Sequence, residues 1–136
     1  MSKTIAAIIL TKNEEIHLER CINSIKDVVD DIVVVDSYST DSTVEIAKRC
    51  GARVYSHSWK NYATQLNYGL YECGITSDWV WRIDADEYLE GDLGKVVKEI
   101  VNSCESDLTG IYVCKRIDFM GKSLMHGGWY PSYHLK

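Results

Sequence analysis

The feature that most constrains this chain is an alternation of short apolar runs with segments of helical periodicity. Residues 4–10 form an almost continuous apolar run, which is typical of strands that are covered on both faces of a parallel sheet. Apolar residues at helical spacing follow this run, and the alternation occurs at least three times along the chain. The pattern predicts an α/β fold with a mostly parallel central sheet and helices on both faces. The predicted strands are residues 4–10, 32–35, 52–55, 79–83 and 110–119, and the predicted helices are residues 15–29, 43–50, 61–73 and 93–101.

Size and charge narrow the possible classes of function. The chain has 136 residues, which is typical of a single domain, and its net charge is −5. Because a general nucleic-acid binder is expected to be basic, we predict no nucleic-acid partner. No run approaches the roughly 20 apolar residues of a membrane span, and the first residues do not form a secretory leader, so a cytoplasmic location is expected. The five cysteines include no C-x-x-C pair, which argues against a disulfide framework and a zinc ribbon.

Two carboxylates alternate at the end of the predicted fourth strand, as Asp84-Ala85-Asp86. If strand geometry persists, residues i and i+2 point the same way, so both side chains reach one cation. Magnesium and manganese are typically bound by one or two carboxylates together with water and substrate phosphates. The pair therefore predicts a divalent metal site, with a solvated acidic turn as the alternative.

Two further polar clusters follow predicted strands and should lie on the same rim of the sheet. In parallel sheets, ligands bind beyond the carboxyl ends of the strands. Residues 11–14 precede a predicted helix, so their backbone amides are expected to form an anion site. Asp36 ends the second strand and can accept a hydrogen bond from a base or a ribose hydroxyl. In the loop that follows, Ser42 and Glu45 have the spacing of a capping box.

Three segments, residues 9–14, 32–43 and 82–87 in this order, resemble family 2 glycosyltransferases. The similarity is strongest to the lipopolysaccharide-core β-glucosyltransferase group, which the tail at residues 121–131 also resembles. The resemblance covers nearly the whole chain. It implies a GT-A fold, an α/β fold that binds a nucleotide sugar.

The resemblance also implies roles for individual positions. Asp36 matches the carboxylate that contacts uracil, and Asn67 matches a position near the donor. Asp84 and Asp86 match the D-x-D pair that holds a divalent metal, Mn or Mg, on the diphosphate. The residues implied to bind the donor are Thr11, Asn13, Glu14, Asp36, Asn67 and Asp84.

The implied activity is an inverting, metal-assisted transfer of a sugar from a UDP-sugar donor, with UDP-glucose as the favoured donor. The implied acceptor is a saccharide or glycolipid of the cell envelope, such as lipopolysaccharide. The general base is expected beyond Lys136, so residues 1–136 are expected to be a single GT-A domain that is truncated at its C-terminus. Peripheral contact with the inner face of the membrane is open, although no basic amphipathic helix supports it. The oligomeric state is also open.

Two alternatives stay open from the sequence. A non-catalytic nucleotide-sugar-binding fragment would share every binding residue. A phosphohydrolase of the haloacid dehalogenase type also places D-x-D after an apolar strand, but it expects that motif near the first strand and Thr or Val in place of Tyr88. In the tail, Trp129 and Tyr130 either form a sugar-stacking wall or anchor the tail by packing, and the second interpretation is favoured.

Overall fold

The computed structural model describes residues 2–104, 107–127 and 130–136, and the chain divides into two compact units, residues 1–104 and 105–136. The two units are described separately below. The prediction of one domain over residues 1–136 stays a prediction. Trp129, for which a packing anchor is favoured over a sugar-stacking wall, lies outside the described residues.

The first unit has four strands and four helices in strict alternation, as predicted. Its elements are β1 (Ile5–Thr11), α1 (Leu18–Ile25), β2 (Asp31–Asp36), α2 (Thr43–Arg49), β3 (Arg53–Ser56), α3 (Tyr62–Glu72), β4 (Trp79–Arg82) and α4 (Leu93–Ser103). The helix predicted from Glu15 begins three residues later, because a turn precedes it in which the amide of His17 donates to the carbonyl of Glu14. The other seven elements begin and end within two residues of the predicted bounds.

The four strands form one parallel sheet in the order β3-β2-β1-β4. β1 pairs with β2 from Ala6↔Asp31 to Thr11↔Asp36, and its other edge pairs with β4. The chain thus moves outward from β1 to β3 and returns to the opposite side of β1 for β4. With right-handed crossovers, this reversal places α1 and α2 on one face and α3 on the other, and α1 indeed contacts α2 while α3 packs on β1 and β2. The switch point, where ligands bind in open α/β sheets, lies between β1 and β4.

The core of this unit is built around β1 and β2. Residues 5–9 of β1 are at most 2% exposed, and residues 33–35 of β2 are fully buried. Burial on both faces accounts for the continuous apolar run in the sequence. α3 approaches the sheet closely at Gly69, where an added Cβ would lie 3.1 Å from methyl groups of both Ile8 and Val35.

The second unit is antiparallel. It contains β5 (Tyr112–Lys115), β6 (Asp118–Phe119), β7 (Lys122–Ser123) and β8 (Ser132–Leu135), paired as β5–β8 and β6–β7. The single strand predicted at residues 110–119 is wrong, because the chain leaves the ladder after Lys115 and forms a hairpin. Met120 and Gly121 have φ values of 51° and 77°, the positive pair that a tight two-residue hairpin turn requires.

The described part of the chain contains no helix that is both long enough and apolar enough to cross a membrane.

Candidate donor-binding site

A cleft of about 640 Å³ opens at the carboxyl ends of the strands, beside the switch point between β1 and β4. Four of the predicted site residues, Thr11, Glu14, Asp84 and Asp86, line it. All three polar clusters found in the sequence therefore contribute at least one side chain to a single cleft, as the strand order requires. The residues that line the cleft are Leu10, Thr11, Lys12, Glu14, Ser37, Trp59, Tyr62, Asp84, Ala85 and Asp86.

The acidic pair reaches the cleft from a turn and not from a strand. The last pair between β1 and β4 is Ile8↔Arg82, so Asp84 lies past the paired strand, and the condition on which the i, i+2 alternation was predicted is not met. Instead, the amide of Glu87 donates to the carbonyl of Asp84 (2.9 Å), and the Asp84 amide donates to Oε1 of Glu87 (2.8 Å). Ala85 between the two aspartates is only 4% exposed, which anchors the turn while Asp86 stays exposed.

The wall formed by Glu14, Asp84 and Asp86 is strongly negative. Burial raises the pKa of Glu14, and repulsion from Asp86 raises it further, while His17 lowers it and Asp41 and Asp84 make smaller contributions that raise it. Burial also raises the pKa of the nearby Cys21 thiol to about 12, with added repulsion from the same acidic turn. A bound cation would invert the sign of this potential.

The donor set suits a metal that is shared with a substrate. The described residues contain no group of three or more His, Cys, Asp or Glu side chains placed to hold a metal ion. Two aspartates on one turn, beside an open cleft, match magnesium and manganese sites in which one or two carboxylates are completed by water and phosphate oxygens. Asp84 and Asp86 therefore fit this kind of metal and do not form a closed protein cage.

The loop after β1 is bound to the loop after β2 by hydrogen bonds in both directions. The amides of Asn13 and Glu14 donate to Ser39 Oγ and Thr43 Oγ1, both at 2.8 Å. In return, the amide of Thr40 donates to Asn13 Oδ1 at 2.8 Å. The amides of Asn13 and Glu14 are therefore already used within the rim, so the anion site predicted on the amides of residues 11–14 is wrong for these two. Asn13, at φ 53°, connects the two loops and does not line the cleft.

Asp36 is the centre of this connection. It is 1% exposed and accepts hydrogen bonds from Thr11 Oγ1 (2.7 Å) and from the amide and Oγ of Ser39 (2.8 and 2.6 Å). Asp36 therefore holds the rim together and, like Asn13, does not line the cleft. The predicted capping box is wrong, because the Ser42 side chain makes no cap bond and Asp41 accepts from the amide of Thr43 at 2.9 Å.

Two aromatic residues that were not predicted from the sequence line the same cleft as the acidic turn. Trp59 is 56% exposed and Tyr62 is 38% exposed, and both line the cleft. Nη1 of Arg82 donates to the Tyr62 hydroxyl at 2.5 Å, and the guanidinium lies 5.5 Å from the centre of its ring. Their place just after β3, at the carboxyl edge of the sheet, is the signal that could have identified them. Asn67 is exposed on α3 and is not among the residues that line the cleft.

The fold and site together define an α/β domain with an acidic ligand cleft at its switch point. Residues 6–133 match the model of the family described as Glycosyl transferase family 2, and the chain belongs to this family. It is 43% identical over 105 residues to an uncharacterized glycosyltransferase of Rickettsia typhi, covering 77% of this chain and 35% of that protein. It is 31% identical over 122 residues to the lipopolysaccharide core biosynthesis glycosyltransferase LpsC of Rhizobium meliloti, covering 86% of this chain and 44% of that protein.

Solved structures agree with this assignment. Glucosyl-3-phosphoglycerate synthase from Mycobacterium tuberculosis, in complex with UDP, superposes with a TM-score of 0.56 at 32% identity, over 62% of this chain and 34% of that chain. Mannosyl-3-phosphoglycerate synthase from Rubrobacter xylanophilus superposes with a TM-score of 0.62 at 25% identity, over 74% of this chain and 36% of that chain. The predicted family and fold are confirmed, and the similar proteins carry glycosyltransferase names, which agrees with the predicted enzyme class. The chain spans between a third and a half of the length of these relatives.

Proposed function

We propose that the cleft binds a UDP-sugar, with UDP-glucose as the favoured donor, together with Mn²⁺ or Mg²⁺. The sugar is then transferred, with inversion, to a saccharide or glycolipid of the cell envelope. The observation that carries this proposal is the meeting of the loops after β1 and β2 with the acidic turn after β4 at one cleft. The M. tuberculosis synthase, solved with Mn²⁺ and UDP-glucose, supports the donor and the metal. The name of the Rhizobium relative supports a lipopolysaccharide acceptor.

In this proposal, Asp84 and Asp86 hold the metal, which would act as a Lewis acid and neutralise charge on the departing nucleoside diphosphate. The turn between Asp84 and Glu87 is closed by two hydrogen bonds, so the backbone that carries the two carboxylates is already held before the donor enters. The cation would stabilise the developing anion, and the part of the two negative carboxylates would be to hold that cation in place.

The other predicted donor residues take two kinds of role. Thr11 and Glu14 line the cleft and are proposed to contact the nucleoside directly. Asn13 and Asp36 are proposed to act by holding the rim, and a contact of Asp36 with uracil would need the spare accepting capacity of its buried carboxylate. Asn67 is retained as a donor residue only as a prediction, since it lies outside the cleft.

We further propose that the general base lies beyond Lys136, and that the whole protein acts at a cytoplasmic location. A non-catalytic nucleotide-sugar-binding fragment is the second candidate for this chain, because binding needs none of the residues that activate an acceptor. The phosphohydrolase alternative is dropped, since the chain belongs to the glycosyltransferase family.

Calorimetric titration of the chain with UDP-glucose, with and without Mn²⁺, tests the donor proposal. We expect metal-dependent binding that Asp84→Asn and Asp86→Asn remove. Asp27→Asn is the matched control, because Asp27 is an exposed carboxylate just after α1, at the opposite edge of the sheet. Titration with GDP-mannose tests which nucleotide base the cleft accepts, and tighter binding of GDP-mannose than of UDP-glucose would contradict the assignment of UDP. Metal-independent binding that survives both substitutions would overturn the proposed metal site.

Transfer itself is tested on a longer protein that extends past Lys136. Release of UDP from UDP-glucose, stimulated by a lipopolysaccharide-core saccharide, is the expected result for an enzyme. Donor binding without stimulated release, in the extended protein, would favour the binding module.

A further inference from the structure

A glutamine amide is completely buried behind the cleft. Gln65, on α3, is 0% exposed. Its Nε2 donates to Ser37 Oγ and to the carbonyl of His57, both at 3.0 Å, and its Oε1 lies 2.8 Å from Nδ1 of His57. One side chain thus joins α3 to the segments that leave β2 and β3.

The chemistry of these partners determines the orientation of the amide. The backbone carbonyl of His57 can only accept, so the group that faces it must be the NH₂ of Gln65. The Gln65 oxygen then faces Nδ1 of His57, which must carry the ring proton. The His57 ring is stacked on Tyr68, with ring centroids 4.0 Å apart and planes 20° apart, which keeps the imidazole in place. A flipped amide would place two oxygens against each other at the His57 carbonyl.

This orientation decides what Ser37 presents to the cleft. Ser37 lines the cleft, and its hydroxyl oxygen already accepts from Gln65. Its backbone is held on both sides, because its amide donates to the carbonyl of Thr11 (3.0 Å) and its carbonyl accepts from Nζ of Lys12 (3.0 Å). Since the oxygen accepts from Gln65, the hydroxyl hydrogen is left to donate to an occupant of the cleft.

We propose that Gln65 is a positioning residue, which fixes Ser37 as a hydrogen-bond donor to an oxygen of the bound nucleotide sugar. The inference rests on the proposed function of the cleft. Gln65 itself is fully buried, so it acts through Ser37 and does not contact the ligand. The accepting oxygen belongs to the base, the ribose or the diphosphate, and titrations with uridine, UDP and UDP-glucose distinguish these sources.

The test is a double-mutant cycle on affinity for UDP-glucose in the presence of Mn²⁺, measured by calorimetry. Ser37→Ala should weaken binding about tenfold, the usual effect of losing one hydrogen bond to a charged or strongly polar group. Gln65→Met, which keeps the shape but frees the Ser37 hydroxyl, should weaken binding by about three- to tenfold. In the Ser37→Ala background, Gln65→Met should have no further effect, because its route to the ligand is gone. Glu72→Gln is the control on an exposed position of the same helix.

A merely structural role for Gln65 predicts a different pattern. Gln65→Met would then lower thermal stability and weaken binding by the same factor whether or not Ser37 is present, and this result would overturn the proposal. Wild-type affinity in a folded Gln65→Met or Ser37→Ala variant would overturn it as well.

If Gln65→Met does not fold, Gln65→Glu replaces it in the cycle. A carboxyl group that is protonated on the oxygen facing the His57 carbonyl would donate to that carbonyl and accept the Ser37 hydrogen on the same oxygen. The Ser37 hydrogen bond would then be reversed, and we expect the same loss of affinity as for Ser37→Ala. Unchanged affinity in this variant would count against the proposal. Absence of UDP-glucose binding by the folded wild-type chain would overturn the proposed function and this inference together, whereas wild-type binding that is insensitive to Ser37→Ala overturns only the inference.

Discussion

Asp86→Asn should stabilise the metal-free protein while it abolishes metal-dependent binding of the donor. After burial, Asp86 is the largest contributor to the raised pKa of Glu14. A raised carboxyl pKa means that the charged form is disfavoured in the folded state. Stability from this group is present below the ordinary pKa of 4.5 and is lost as the pH rises through the higher folded-state value. Removing the charge of Asp86 reduces that loss at neutral pH.

The two effects differ in size as well as in sign. Asp86 is exposed, so solvent screens its repulsion, and interactions between such charges typically amount to about 0.2–1 kcal/mol. We expect the free energy of unfolding to rise by about 0.5 kcal/mol at pH 7, which raises Tm by about 2 °C. Removing a residue that only supports a metal ligand typically weakens metal affinity by about 10- to 100-fold, so loss of a direct ligand should weaken it by about 100-fold or more.

The assay is urea denaturation with a chelator at pH 7 and pH 4, together with calorimetric titration of UDP-glucose and Mn²⁺ at pH 7. The stability gain should be present at pH 7 and smaller at pH 4, where Glu14 is largely protonated. Asp27→Asn should change neither measurement. A loss of stability in the chelated Asp86→Asn protein, or a gain of equal size at both pH values, would refute the electrostatic reasoning.

Four further predictions follow from single positions. Gly94→Ala places a Cβ 2.4 Å from Cγ2 of Val28, so it should lower the free energy of unfolding by about 1–2 kcal/mol in urea denaturation, and adding Val28→Ala should recover part of this loss. Trp59→Ala should weaken UDP-glucose binding by about three- to tenfold in calorimetry and leave Tm nearly unchanged, because the ring is half exposed. Asp36→Asn should lower the free energy of unfolding by about 1–3 kcal/mol, since its buried oxygens accept three hydrogen bonds. Hydrogen bonds from the amide and hydroxyl of Thr4 lower the pKa of Asp78, so the contribution of Asp78 to stability is present above its ordinary pKa of 3.8 and is lost as the pH falls through the lower folded-state value. Asp78→Asn should therefore make the free energy of unfolding less dependent on pH on the acid side.

The order and type of the elements in the first unit could be predicted because each depends on local periodicity. The apolar run at residues 5–9 and the amphipathic face of α1 identify their elements without any partner. The second unit was harder to predict, because its strands are two to four residues long and such segments carry little periodic signal. The break after Lys115 depends on pairing with β8, which is distant in sequence.

The residues of the candidate site also divide into those that the sequence predicted and those that it did not. Asp84, Asp86 and Glu14 could be assigned to one cleft, because parallel strands bring their carboxyl ends to one edge of the sheet. The use of the amides of Asn13 and Glu14 by the loop after β2 could not be predicted from the sequence. Those bonds join residues 26 and 29 positions apart, and no local pattern encodes them.

The sequence by itself determined the alternating elements, the parallel sheet and the acidic rim, since hydrophobic periodicity and strand-end polarity are properties of neighbouring residues. Only the tertiary structure decided that the acidic pair lies on a turn, that Trp59 and Tyr62 line the same cleft, and that Gln65 donates to Ser37. These outcomes depend on hydrogen-bond partners and packing faces that come together only after the strands have paired. A buried amide such as Gln65 is satisfied by groups 8 and 28 residues away, so its role becomes visible only in the folded chain.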